Sequence, residues 1–289
     1  MTIERLVDAK ARIGEGPIWD ERLGCLYWVD ILGCTIHRTH PNSTADDQLK
    51  LDKMVGAVAL CEDGSLVAAL EDGFARIRFE TGLVEPIWTA TEEAGNRFND
   101  GKCDPDGRFW AGTMSLTGQK NVGSLYCLQT DLSVATVLSG VSISNGLAWT
   151  DDRKYLYYID SPTREIWRFD YDPAAPRLTG RTTVVRIPDG EGVPDGMTID
   201  RDGNLWVAQW GGGRVSCFNP RTGKRLDQIL FPVSQVSSCT FGGPDLGDLY
   251  VTTAWNTLSD EARRQQPEAG ALYRVRTQTS GYPADRFRG

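Results

Sequence analysis

The feature that most constrains this chain is a repeat. Six times along its 289 residues, a short apolar run is followed by an Asp/Gly-containing turn, an apolar run with an aromatic, and a third run. The second runs cover residues 24–29, 64–69, 107–111, 154–158, 203–207 and 247–251, and their starts lie 40 to 49 residues apart. That period is expected of four-stranded propeller blades. The turns Glu62-Asp63-Gly64, Pro105-Asp106-Gly107 and Arg201-Asp202-Gly203 are hairpin chemistry, with glycine supplying the positive φ. Third runs follow at 123–128, 165–170, 213–218 and 270–275, and less regular fourth runs at 83–88, 182–185 and 226–230. Residues 277–289 are polar and offer no fourth strand for the last repeat, whereas residues 4–8 form a strand with no repeat of its own. The N-terminal strand is therefore expected to complete the last blade and close the ring, removing its open edge.

The fold class that follows is all-β, with residues 1–289 reading as one domain, a six-bladed β-propeller of four-stranded antiparallel blades. An α/β domain lacks support, because no 3.6-residue periodicity runs for a helix length; only residues 259–266 look helical, as a loop decoration. Two packed β-sandwiches would need a linker or composition shift near the middle, and there is none. A net charge of −8 argues against nucleic acid or an anionic membrane as partner. No apolar run approaches the roughly 20 residues of a bilayer-spanning helix, and the N-terminus carries no secretory pattern. Seven scattered cysteines without a Cys-x-x-Cys pair read as buried thiols of a cytoplasmic protein. His37 and His40 read as surface or packing residues, and Trp28, Trp110 and Trp206 as packing at one repeated blade position. Trp210 and Trp255, which follow second strands, are candidates to border a channel mouth.

The first strand of each blade lines the central channel, so equivalent positions in the repeats form a ring. Aligned on the leading glycines Gly16, Gly56, Gly101, Gly146 and Gly196, and on Cys239, the preceding residues are Glu15, Val55, Asp100, Asn145, Asp195 and Ser238. Asp or Asn before Gly is ordinary turn chemistry at any one position. Oxygen donors at four of six symmetry-related positions point instead to a shared ion. Carboxylates converging on a narrow channel repel unless protonated or neutralised by a cation. Such a donor set suits a hard divalent ion such as Ca²⁺, Mg²⁺ or Mn²⁺.

At these residues the sequence resembles the regucalcin/gluconolactonase family of six-bladed propeller lactonases. The matching stretches include Gly14-Glu15-Gly16-Pro17-Ile18-Trp19, Asn96-Arg97-Phe98-Asn99-Asp100-Gly101-Lys102, Ile143-Ser144-Asn145-Gly146-Leu147 and Pro194-Asp195-Gly196-Met197, and the full set spans nearly the whole chain in order. The resemblance implies one divalent metal held by Glu15, Asn145 and Asp195, with Ca²⁺ foremost and Mg²⁺, Mn²⁺ or Zn²⁺ as others. It also implies that Arg97 and Asn99 face substrate, with Asn99 favoured over Asp100. The loop Ser115-Leu116-Thr117-Gly118-Gln119-Lys120 lacks the paired acidic residues that some members carry there.

The implied activity is metal-dependent hydrolysis of sugar lactones, the small-molecule partners, to aldonic acids. Asp195 is then both ligand and the catalytic residue that takes a proton from water, and Arg97 binds substrate hydroxyls or the developing oxyanion. No Gly-x-Ser-x-Gly element supports a covalent nucleophile. Two other readings share the scaffold: a metal-dependent esterase or phosphotriesterase, and a non-catalytic calcium-binding regulatory propeller. The expected assembly is a monomer or weak dimer.

Overall fold

A strand that must bury both faces against neighbouring sheets reads as an unbroken apolar run, and the second runs of the repeats do so. In the computed structural model, which describes residues 2–43, 45–90 and 95–289, Cys25–Asp30 and Leu66–Leu70 are buried along their whole length. Six four-stranded antiparallel sheets result. Their innermost strands are Gly14–Asp20, Val55–Leu60, Asn96–Cys103, Ser144–Trp149, Val193–Ile199 and Val236–Gly242, and they define blades 1 to 6. The chain is a six-bladed β-propeller.

Ring closure follows the predicted route. Ile3–Val7 is the outermost strand of blade 6 and pairs with Leu272–Arg276, Ile3 opposite Val275 and Glu4 opposite Arg274. The Arg274 guanidinium donates to Glu4 across that pair. The hairpin glycines Gly64, Gly107 and Gly203 have φ of 85°, 83° and 79°, a region other residues rarely enter. The helix Asp260–Gln265, capped by Ser259, sits where the sequence placed a helical loop decoration.

Trp28, Trp110 and Trp206 are buried at equivalent blade positions. The Trp110 and Trp206 indoles donate to Asp104 and Asp200 at 2.7 and 2.9 Å, tying each second strand to the turn that precedes it. His37 is a packing residue: its ring stacks on Trp28 at 3.8 Å and Nδ1 lies 2.8 Å from Asp46. All seven cysteines are free thiols and six are buried. No helix among the described residues is long and apolar enough to cross a membrane.

Two features position the site. Every innermost strand slips register by one residue against its neighbour, at Glu15/Ile18, Val55/Ala57, Phe98/Gly101, Asn145/Leu147, Pro194/Met197 and Val236/Ser238. Such bulges re-aim side chains, and here they do so at one depth of the channel. The second feature is the C-terminal segment, which crosses the channel end where the innermost strands finish. Gly281 bridges to Asp200 of blade 5, and Phe287 to Cys61 of the opposite blade 2. Arg286 donates to the buried Asp20 of blade 1 at 2.6 Å. Above this strap the lower channel opens into a cavity of about 410 Å³, whose lining includes Asp100, Lys102, Thr240 and Tyr282.

Candidate metal and substrate site

Glu15, Asp100 and Asp195 each stand in a bulge immediately before a glycine, and each carboxyl is drawn to the N–H of that glycine. The bonds from Gly16 to Glu15 and from Gly101 to Asp100 are 2.8 and 2.7 Å. Three blades thus aim three carboxyls toward the channel axis by the same local device. All three are buried, at 3 to 5 % exposure. Burial, then Asp100, pushes the Glu15 acid up to about 8. Burial, then Glu15 and Asp100, holds Asp195 well above the usual carboxylate range. Glu15 and Asp195 act directly on each other, so one acid keeps its proton while the other ionises.

The other side of the site is a chain of hydrogen bonds that starts at a guanidinium. Arg97 Nη1 donates at 2.8 Å to both the Phe98 carbonyl and Asn99 Oδ1. Asn99 Nδ2 donates to the Ser144 carbonyl at 2.8 Å and to Asn145 Oδ1 at 3.1 Å. Asn145 Nδ2 donates to Ser161 Oγ at 2.8 Å, and that hydroxyl donates to the Pro194 carbonyl at 2.7 Å, one residue before Asp195. Every amide and hydroxyl in this chain is 3 to 5 % exposed, so each orientation is fixed by its partners rather than by water. Burial lowers the Arg97 pKa to about 10, opposed by Glu15, Asp195 and Glu71.

The structure therefore brings together Glu15 and Asp195, and links Arg97, Asn99 and Asn145 into the same network. Asp100, which the ring alignment raised and the family pattern set aside, stands with the carboxyls; Asn99, its neighbour in the bulge, stands with the amides. Ser161 is a site residue that sequence reasoning missed; it lies in a short 3₁₀ turn after a second strand, outside the repeat alignment. Leu116 to Lys120 are exposed beyond Ser115, which pairs with Asn96 at the upper channel mouth. Trp210 is half-buried opposite Gln235 at that end, and Trp255 lies under the Arg263 guanidinium at 3.9 Å with its indole on the Lys10 carbonyl.

Among the described residues no three His, Cys, Asp or Glu side chains form a complete cage for an ion. The oxygen donors are mixed: two buried carboxyls that act on each other, and the Asn145 amide, tied through Ser161 to the carbonyl one residue before Asp195. Two acids forced to share a proton are the arrangement that a hard cation relieves, so these residues fit a divalent metal.

A six-bladed propeller with buried acids at its axis defines a class, and the comparisons narrow it. Residues 13–255 match the SMP-30/Gluconolactonase/LRE-like region. The chain belongs to this family. It is 42 % identical over 283 residues to the "Putative sugar lactone lactonase YvrE" of Bacillus subtilis (strain 168), covering 98 % of this chain and 97 % of that one. It is 39 % identical to regucalcin of Xenopus laevis over 279 residues, 94 % of this chain and 93 % of the relative. The crystal structure of a calcium-binding protein, regucalcin from Agrobacterium tumefaciens str. C58, superposes with a TM-score of 0.95 at 27 % identity, covering 100 % and 98 % of the two chains.

Proposed function

We propose that this protein hydrolyses sugar lactones to aldonic acids with one divalent cation held by Glu15, Asn145 and Asp195. The observation that carries the reading is the buried Glu15–Asp195 pair, two acids from blades 1 and 5 that act directly on each other at the channel axis. When bound, the cation supplies Lewis-acid polarisation of the lactone carbonyl, worth several kcal/mol of transition-state stabilisation. Asp195 takes the proton of the attacking water. Arg97, fixed through Nη1, uses its remaining N–H groups on the substrate oxygens. Asn99 stands beside it and couples this arginine to Asn145. Ca²⁺ is the first candidate, and Mg²⁺, Mn²⁺ and Zn²⁺ suit the same oxygen donors. The free thiols favour a reducing, cytoplasmic setting.

The test is proton release from a panel of five- and six-membered aldonolactones, with metal-stripped protein and each ion added back. Asp195→Ala and Asn145→Ala are expected to abolish turnover while the thermal transition persists. Full turnover by stripped protein overturns the metal-assisted reaction. A relative described as calcium-binding gives the non-catalytic reading its support, and cation binding without turnover of any lactone would favour it. Faster turnover of aryl esters or phosphotriesters than of lactones would favour the esterase reading.

A further inference from the structure

Lys102 has no part in the site described above, yet it crosses the channel beneath it. It follows Asp100 by two residues on the innermost strand of blade 3, and its Nζ donates at 2.8 Å to the carbonyl of Met197. Met197 lies on blade 5, two residues after Asp195, and blade 4 separates the two blades. The side chain therefore spans from the strand of Arg97, Asn99 and Asp100 to the strand of Asp195. It lines the lower cavity together with Asp100. The Asp100 carboxylate is the leading attraction on its ammonium, with Glu15 among the further ones.

The buried charges of the chamber can now be counted. Glu15, Asp100 and Asp195 are three acids; Arg97 above them and Lys102 below are two cations. Glu71 and Asp285 also face these cations: Glu71 is only half-buried, and Asp285 lines the lower cavity with Arg153, whose positive charge offsets it. With all groups ionised the chamber carries one surplus negative charge. A divalent cation converts this into one surplus positive charge, the complement of the single negative charge that develops on a lactone carbonyl oxygen. Without Lys102 the loaded chamber is neutral.

We infer that Lys102 is a charge-setting, positioning residue: it weakens the grip of the acids on the cation and thereby keeps the loaded chamber positive for the oxyanion. The inference rests on the proposed lactonase reading for its second half only. Its signature is a pair of changes of opposite sign, which a loss of structure does not produce. Removing a positive charge tightens cation binding, while removing a surplus positive charge slows turnover.

The experiment is calorimetric titration of Ca²⁺ into stripped wild-type, Lys102→Met, Lys102→Gln and Lys102→Arg proteins, followed by lactone kinetics on the loaded proteins. The two neutral variants are expected to bind Ca²⁺ about tenfold more tightly, with kcat lowered about tenfold and KM little changed. Lys102→Arg, which keeps the charge, should stay within about threefold of wild type in both. Calcium binding by both neutral variants that is unchanged or weaker overturns the inference, as does wild-type kcat in a variant that binds more tightly. A variant that melts early is replaced by the other neutral one. Tightened binding in a protein that hydrolyses no lactone leaves the electrostatic half standing and removes the lactonase reading instead.

Discussion

Cation binding to this channel should expel protons, and the structure sets the size of the effect. Burial and the neighbouring Asp100 raise Glu15 from its ordinary 4.5 to about 8, and Asp195 is raised with it. Near neutral pH the metal-free pair therefore holds at least one proton, which must leave before both carboxylates can ligate. For a single displaced proton of pKa about 8, the apparent Kd for Ca²⁺ weakens roughly fiftyfold as the pH drops from about 8 to about 6, and levels off above. Calorimetric titration in buffers of low and high ionisation enthalpy counts the released protons directly. Glu15→Gln, which has no proton to give up there, should bind more weakly with a shallower pH dependence. A Kd independent of pH, with no buffer-dependent heat, would refute the claim that these acids share a proton in the metal-free protein. The same shift carries a stability sign. The folded state holds a proton that the unfolded chain releases near pH 4.5, so the pair's contribution to metal-free stability falls as pH rises from about 4.5 to about 8. Added Ca²⁺ should restore it.

Two further outcomes test the frame around the site. Ser161→Ala removes the hydroxyl between the Asn145 amide and the Pro194 carbonyl, leaving both buried groups short of a partner; urea unfolding should show a loss of about 2 kcal/mol, and Ca²⁺ affinity should fall with it. Arg286→Ala strips the buried Asp20 of its ion-pair partner and should cost about 3 kcal/mol in the same assay. The double variant Asp20→Asn/Arg286→Met should recover much of that loss, because it leaves no buried charge unpaired.

The blades were legible in the sequence wherever burial on both faces demanded apolar runs, and faded toward the rim. The outermost strand of blade 1, Asp46–Lys50, reads Asp-Asp-Gln-Leu-Lys, because an edge strand is half in water and tolerates charge. The strap was harder to foresee, since its anchors are single residues without periodicity. A vacancy for it was nevertheless present. Asp104 and Asp200 each bind an indole six residues on, at Trp110 and Trp206, whereas Asp20 has Leu26 at that spacing and no indole donor. Arg286, arriving from the far end of the chain, fills the place. Blade 2 has Cys61 at the same turn position, and there Phe287 docks. The strap thus docks on blades 1 and 2, whose turns lack the Asp–indole pair, as well as on blade 5 through Gly281.

The site was legible in depth but not in direction. Aligning the repeats on their glycines identified the ring, because symmetry fixes how far down the channel a residue lies. It could not choose between Asn99 and Asp100, since an ideal strand sends successive side chains to opposite faces and only one should reach the axis. The extra residue in each innermost strand removes that constraint. In blade 3 the slip spans Phe98 to Gly101, so Asn99 and Asp100 both lie within the bulge. One turns to the Ser144 carbonyl and Asn145, the other faces Glu15 and Asp195 electrostatically. A single inserted residue thus gives one blade both an amide and an acid at the same depth. The same slip in blades 2 and 6 brings only Val55, Gly56, Ser237 and Ser238, so the bulge supplies the aim and the residue type alone decides which blades take part in the chemistry.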